Sequence, residues 1–132
     1  MTIIIPVVSD VRATINMNTD QDLLDSVIQN AITRATTYVT ELAAWSRADD
    51  AFVSMAMLNY AAYLSYQAYS DRVLNLISGK LGDDGIFSPE GLIIQREVTS
   101  KLQDMKNNSE RSLNWLRVFG PTGTIVRPGF II

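Results

Sequence analysis

Residues 51–70 read AFVSMAMLNYAAYLSYQAYS, and this stretch decides the fold because it contains no charged side chain. Its apolar residues would cover most of the circumference of a helix, a pattern typical of a helix that is packed from several sides. The serine, asparagine and glutamine among them, and the weight of alanine and tyrosine, argue against a membrane span. The sequence therefore predicts a buried central helix from Asp49 or Asp50 to about Ile77.

Two helices are predicted before this central one. A short helix at residues 9–15 begins with Ser9 as its N-cap, and residues 16–18 interrupt it. A second helix begins after Thr19, which is the predicted N-cap, and ends near Trp45. Its apolar residues recur every three or four positions, which indicates one buried face.

A fourth helix is predicted after a turn-rich loop at residues 79–85. It begins at Ser88-Pro89-Glu90, where an N-cap, a proline and an acid follow one another, and it ends at Phe119 before Gly120-Pro121. The polar residues around Ser109 interrupt its apolar face and predict a bend or an exposed stretch. Its predicted core-facing residues are Ile94, Val98, Leu102, Met105, Ser109, Leu113 and Leu116.

Both ends of the chain are apolar, rich in β-branched residues and interrupted by proline, so neither is expected to be helical. The predicted fold class is all-α: a small helical bundle of one short and three longer helices. The bundle domain covers residues 9–119, with an extended N-terminal arm at residues 1–8 and an extended C-terminal arm at residues 120–132.

The N-terminal arm is a candidate strand for pairing with a neighbouring chain, because exposed β-branched edges accept strands from other molecules. The arms could instead fold back as a two-stranded ribbon on their own bundle, although an isolated ribbon is marginal in water. Pairing within one chain and pairing between chains therefore both stay open. The candidate pairing residues are Ile3, Ile4, Ile5, Val7 and Val8.

Composition excludes much of enzyme chemistry. The chain has no cysteine and no histidine, and so lacks disulfides, thiolate ligands and the commonest general base. We predict no catalytic residue, no cofactor, no metal ligand and no enzymatic activity. A formal net charge of −3 gives no basic footprint for nucleic acid.

Short motifs that resemble ligand sites are better explained as surface structure. Gly79-Lys80 lacks the second glycine and the hydroxyl residue of a phosphate-binding loop, and Asp83-Asp84-Gly85 lacks the spaced ligands of a calcium loop. An acidic cluster in the first turns of the predicted second helix could hold a cation or form a negatively charged contact face, but complementarity to the helix dipole explains it fully. The clustered acids are Asp20, Asp22 and Asp25.

Two further sets of side chains have a structural and a functional interpretation. The tyrosines of the central helix have no interleaved bases, so core or interface packing is preferred to nucleic-acid stacking. The bases of the last helix are mixed with acids and predict a solvated face, with contact to a polyanion as the weaker alternative. These residues are Tyr60, Tyr63, Tyr66 and Tyr69, and Arg96, Lys101, Lys106, Arg111 and Arg117.

The order of these segments resembles that of the head–tail connector, or adaptor, proteins of tailed double-stranded DNA bacteriophages. The resemblance covers residues 9–78 and is a pattern of helices and apolar positions. It is carried by Asp10-Val11-Arg12, Asp20-x-Asp22-Leu23-Leu24-Asp25-x-x-Ile28-x-x-Ala31, Tyr38-Val39 and the Ala/Tyr-rich helix from Ala51 to Tyr69.

The resemblance implies a structural subunit of the virion neck that is made in the host cytoplasm. Subunits of this family form a twelvefold ring beneath the portal protein, with a tail-side neck or tail-completion protein below. Packaged DNA passes through without specific binding, and no membrane is involved. The C-terminal arm would dock on the portal through Thr124, Ile125, Val126, Arg127, Phe130, Ile131 and Ile132.

This chain departs from the simplest family pattern in its longer fourth helix, the loop at residues 79–87 and the apolar N-terminal lead. One alternative is therefore another neck or tail-completion protein. A second, from a different class, is a small dimeric all-helical enzyme or regulator with arginines and carboxylates in a pocket between helices. Arg34 and Arg72 are the bases within the two middle helices, which argues against such a pocket.

Overall fold

The computed structural model describes residues 3–17, 23–44, 49–81 and 89–118, and these ranges form an all-α bundle without strands. The predicted fold class is thereby confirmed. The predicted C-terminal arm lies outside the described residues. The four helices are α1 (Val8–Ile15), α2 (Asp25–Ala43), α3 (Asp50–Leu81) and α4 (Pro89–Val118).

Helix α3 is the centre of the bundle, as the uncharged stretch predicts. It packs against α1, α2 and α4, whereas α1 also contacts α2, and α2 makes a smaller contact with α4. Because α3 has neighbours on several sides, apolar and small residues are buried around most of its circumference. None of the helices in the described ranges has a stretch both long and apolar enough to span a membrane.

The core consists of two clusters along α3. One joins α1 and α2 to the middle of α3 and to Val98 of α4, and the other joins the ends of α2 and α4 to the beginning of α3. Tyr60 packs against both clusters. Residues with no exposed surface in the two clusters include Val11, Ile15, Ile28, Ala35, Val39, Ala56 and Ala61.

Helix α1 begins one residue earlier than predicted. Val7 occupies the N-cap position with an extended backbone, and its N–H donates to the Asp10 carboxylate over 3.1 Å. The Asp10 carboxylate thus satisfies the backbone before the first turn, so the assignment of Ser9 as N-cap is wrong. Val8 is likewise helical and half-buried, and does not belong to the extended arm.

Helix α1 ends where predicted. Asn16 has φ 58° and ψ 43°, a left-handed conformation that asparagine tolerates better than most residues. The N–H of Met17 donates to the Arg12 carbonyl over 2.9 Å and closes the last turn. The chain therefore leaves α1 sharply.

Helix α2 begins later than predicted, with Leu24 at the N-cap position, so the assignment of Thr19 as the cap is wrong. Asp25 is the acid of its first turn, whereas Asp20 and Asp22 lie outside the described residues. The predicted end near Trp45 agrees with the end at Ala43.

The long helices deviate from prediction at two places. Helix α3 continues to Leu81 and includes Gly79, which was predicted to lie in a loop. Ile94, which is predicted to face the core, is 38% exposed, whereas Ser109 is 2% exposed and agrees with its assignment to the core face. Ser109 lines an open depression between α3 and α4 together with Tyr60 and Tyr63.

Candidate interaction surfaces

The N-terminal segment at residues 3–7 lies against the first half of α3. The Ile4 N–H donates to the Ser54 hydroxyl over 2.8 Å, and Pro6 is buried. The side chains around these two anchors remain in solvent: Ile4 is 70% exposed, and Ile5 and Val7 are also exposed. The segment is thus held through its backbone and one proline while its branched side chains face outward.

A second set of exposed apolar side chains lies close to this segment, where α3 begins and α4 ends. The rings of Phe52 and Trp115 stack with centroids 6.0 Å apart and an interplanar angle of 17°. Met55 is exposed and follows Ser54, the residue that holds Ile4. We call Ile4, Phe52, Met55 and Trp115 the apolar end surface.

The apolar end surface is positioned by contacts between α3 and α4. The Asn59 amide donates to the Ser112 hydroxyl over 2.7 Å, and Ser112 in turn donates to the Asn108 carbonyl over 3.1 Å. Leu113 and Leu116 are buried on the α3 side of α4. Helix α4 ends at Val118, about one turn beyond Trp115.

Asp25 has a structural partner, which bears on the proposed acidic cluster. Arg12 Nη2 lies 2.6 Å from Asp25 Oδ1, and the same guanidinium donates to the carbonyls of Met17 and Leu23 over 3.1 and 2.7 Å. No group of three or more potential metal-ligating side chains occurs among the described residues. Asp25 therefore connects α2 to α1 through an ion pair.

The side chain of Lys101 in α4 lies at the C-terminal end of α1. Its ammonium donates to the Ile15 carbonyl and lies 5.0 Å from the centroid of the Tyr66 ring. A cation is favourable here because the carbonyl end of a helix is negative, and the aromatic face adds a further attraction. Burial lowers the pKa of Lys101.

The tyrosines of α3 serve packing, as their pattern favours. Tyr66 is buried, and its ring lies 5.4 Å from that of Tyr69. Burial raises the pKa of Tyr66 to about 12, and the nearby Tyr69 and Glu97 add to this effect. Tyr60 meets Tyr38 of α2 edge-on at 5.2 Å. The aromatic side chains thus connect the helices.

An open depression of about 380 Å³ lies between α3 and α4, lined in part by Tyr60, Lys106, Glu110 and Arg117. The Arg117 guanidinium donates to the Tyr38 hydroxyl over 2.9 Å and to the Asn114 side chain over 3.0 Å. This arginine therefore holds the end of α4 to α2. The depression brings together Glu110, the basic side chains of Lys106 and Arg117, and the phenols of Tyr60 and Tyr63.

The structure describes the predicted N-terminal site residues but not the predicted C-terminal ones. It places Ile3, Ile4, Ile5 and Val7 on the surface and Val8 in α1, while the predicted portal-docking residues 124–132 lie outside the described residues. Sequence reasoning missed the roles of Arg12 and Lys101. Arg12 and Lys101 bind backbone carbonyls, and the order of side chains in the sequence does not indicate which carbonyls they are. Only the three-dimensional fold reveals both contacts.

Comparison of the chain with known proteins adds no assignment. No family model, no curated protein and no solved structure matches it.

Proposed function

We propose that this chain is a head–tail connector (adaptor) subunit of a tailed double-stranded DNA bacteriophage, with a structural role and no catalysis. The pattern of residues 9–78 supports the proposal through its resemblance to that family. The observation that carries it is the apolar end surface beside the point where α4 ends. A subunit that joins neighbours needs a rigid body with apolar surface left open for them.

In the proposed assembly, twelve subunits form a ring beneath the portal protein in the neck of the virion. Ring closure needs head-to-tail contacts between different surfaces of adjacent copies. The exposed N-terminal segment and the apolar end surface supply apolar area for such contacts. Subunits made in the host cytoplasm would cover this area when they assemble.

The proposed contact with the portal uses residues 120–132. A tail-side neck or tail-completion protein would bind the opposite end of the ring. Packaged DNA would pass through the centre without specific binding. A net charge of −3 suits passage, because proteins that bind DNA tightly neutralise its phosphates with clustered Lys and Arg.

The first test is the mass of the assembly. We expect electron microscopy and mass measurement to find closed rings of about twelve 14.7-kDa chains, either alone or with the portal protein encoded by the same phage. A different ring-binding neighbour would favour another neck or tail-completion protein. A stable dimer that does not bind the portal protein would contradict the proposal and favour a small enzyme or regulator.

The second test concerns the C-terminal arm. Changing Phe130, Ile131 and Ile132 together to Asp is expected to abolish portal docking and to leave the far-ultraviolet helical signal unchanged. Deletion of residues 120–132 is expected to do the same. The matched control places three Asp residues on the exposed face of α2, at Gln29, Asn30 and Thr33. Docking that survives the C-terminal change would refute the arm's role.

A further inference from the structure

One edge of the N-terminal segment carries backbone groups without partners. In an extended chain, alternate residues direct their N–H and C=O groups to opposite edges. The Ile4 N–H is held by Ser54, so the edge of Ile4 and Pro6 faces α3. The N–H groups of Ile3 and Ile5 lie on the other edge and have no hydrogen-bond partner among the described residues.

The position of Pro6 keeps this outer edge intact. Proline has no N–H to offer, and proteins place it in strands where no donor is needed. Pro6 is two residues from Ile4, so in an extended segment its missing donor falls on the inner edge and does not affect the outer one. The outer edge ends at Val7, whose N–H is already bound by Asp10. Ile3 and Ile5 thus present a short edge that can accept a strand.

We propose that this outer edge pairs with residues 122–126 of a second copy of the chain by strand addition. The inference deepens the proposed ring and rests on it, because it names a contact between neighbouring subunits. Main-chain hydrogen bonds from Ile3 and Ile5 hold the added strand, and the exposed branched side chains of the segment pack on it.

The sequence of the C-terminal arm favours it as the occupant. Thr124-Ile125-Val126 is a β-branched run beyond the last helix, and it lies between Pro121 and Pro128. The two prolines bound the stretch that can donate every backbone N–H to a partner strand. This pairing moves Thr124, Ile125 and Val126 from the portal contact to the contact between subunits, and leaves Phe130, Ile131 and Ile132 for the portal.

Geometry allows the pairing between copies. Residues 119–132 follow α4 and span up to about 46 Å when extended, at about 3.3 Å per residue. The Phe52–Trp115 stack and the Ile4–Ser54 hydrogen bond place the end of α4 and the outer edge at the same end of the bundle. Among the described residues no strand covers the outer edge, so the arm of a neighbouring subunit can reach it.

The test uses the absence of native cysteine. One chain carries Ile5→Cys, and a second, isotopically labelled chain carries a single cysteine at one position from 123 to 126. Side chains opposite each other on paired strands lie within disulfide distance, so mild oxidation should link the two chains in at least one register. The matched control mixes the Ile5→Cys chain with a Gln29→Cys chain, whose cysteine lies on the exposed face of α2.

A link between the two chains at least tenfold above the control supports the inference. A third variant carries both cysteines in one chain. If the link forms only within that chain, and independently of dilution, the inference is overturned in favour of a folded-back arm. The absence of any link would also overturn it. Circular dichroism of each variant confirms that the exposed substitutions leave the bundle folded.

A second variant separates this inference from the proposed function. Ile5→Pro removes an outer-edge donor, and is expected to lower self-association at least tenfold with an unchanged helical signal. Rings of Ile5→Pro that form as readily as the unaltered chain would overturn the pairing and leave the connector proposal standing. Links between chains without rings or portal docking would support the pairing and refute the connector.

Discussion

The Arg12 guanidinium of α1 lies 2.6 Å from the Asp25 carboxylate at the start of α2, although only Asp25 is open to solvent. The Arg12 side chain is 12% exposed and that of Asp25 is 75% exposed. Arg12 also binds the carbonyls of Met17 and Leu23, on either side of the link between the two helices. The largely buried Arg12 guanidinium therefore provides hydrogen bonds for two backbone carbonyls that lie outside the helices.

Arg12→Ala is expected to destabilise the bundle by about 2–3 kcal/mol, because it removes hydrogen bonds to a charged group and leaves carbonyls unsatisfied. Asp25→Ala should cost less than about 1 kcal/mol, since exposed ion pairs contribute little. Urea unfolding of the two variants measures both values. Equal losses would show that the ion pair, and not the carbonyl contacts, carries the stability.

The same contact explains why the start of α2 was mispredicted. Thr19 followed by acids is a good local helix start, and sequence reasoning weighs local signals alone. The Arg12 side chain binds the Leu23 carbonyl and the Asp25 carboxylate, and Leu23 and Leu24 lie outside the helix. Such a contact is tertiary, so it overrides a capping preference of about 1 kcal/mol.

Tyr66 is expected to make stability depend on alkaline pH. Burial raises its pKa from 10.0 to about 12, so between these values the folded protein keeps a proton that the unfolded chain loses. The unfolded state then binds fewer protons, and the free energy of unfolding falls as pH rises from 10 to 12. Below pH 10 the full contribution of Tyr66 is present.

Tyr66→Phe tests this dependence because it has no proton to lose. Urea unfolding at pH values between 10 and 12 should show a smaller loss of stability for Tyr66→Phe than for the unaltered chain. Burial lowers the pKa of Lys101, so just below pH 10.5 the unfolded chain binds a proton that the folded protein lacks. In that range Lys101 makes the free energy of unfolding rise with pH, opposite to the effect of Tyr66. Identical slopes above pH 10.5 would contradict the assignment to Tyr66.

Leu116→Ala is expected to cost about 2–4 kcal/mol, the usual penalty for a cavity at a fully buried leucine. Leu116 is 1% exposed and packs in the cluster that joins the ends of α2 and α4 to α3. Leu92→Ala on the exposed part of α4 is the matched control and should cost less than about 1 kcal/mol. Thermal or urea unfolding of both variants measures the difference, and similar losses would contradict the described packing.

The boundaries of α4 were predictable, whereas its packing was only partly so. Pro89 at the first position and Gly120-Pro121 beyond the end are local signals, and the helix spans Pro89–Val118 as they indicate. Val98, Leu113 and Leu116 are buried as their spacing predicts. Ile94 deviates, because it is 38% exposed although the same spacing assigns it to the core face.

The candidate surfaces were likewise only partly predictable from the sequence. Composition marked the N-terminal segment as apolar and non-helical, and the structure places Ile4 and Ile5 in solvent. The Phe52–Trp115 stack and the hydrogen bond from Lys101 to the Ile15 carbonyl join residues that are far apart in sequence. Helical periodicity assigns a residue to a face but does not say which residue of another helix it meets.

Ser54→Ala is expected to release the N-terminal segment without unfolding the bundle. It removes the acceptor of the Ile4 N–H, so that amide should exchange faster with solvent, while the bundle loses at most about 1 kcal/mol. Hydrogen exchange followed by NMR measures the Ile4 amide directly, and Ser100→Ala on the exposed face of α4 is the control. Unchanged protection of Ile4 would mean that Pro6, and not Ser54, holds the segment against α3. Loss of protection would leave the segment free to turn its outer edge away from a neighbour, so strand addition should weaken in the same variant.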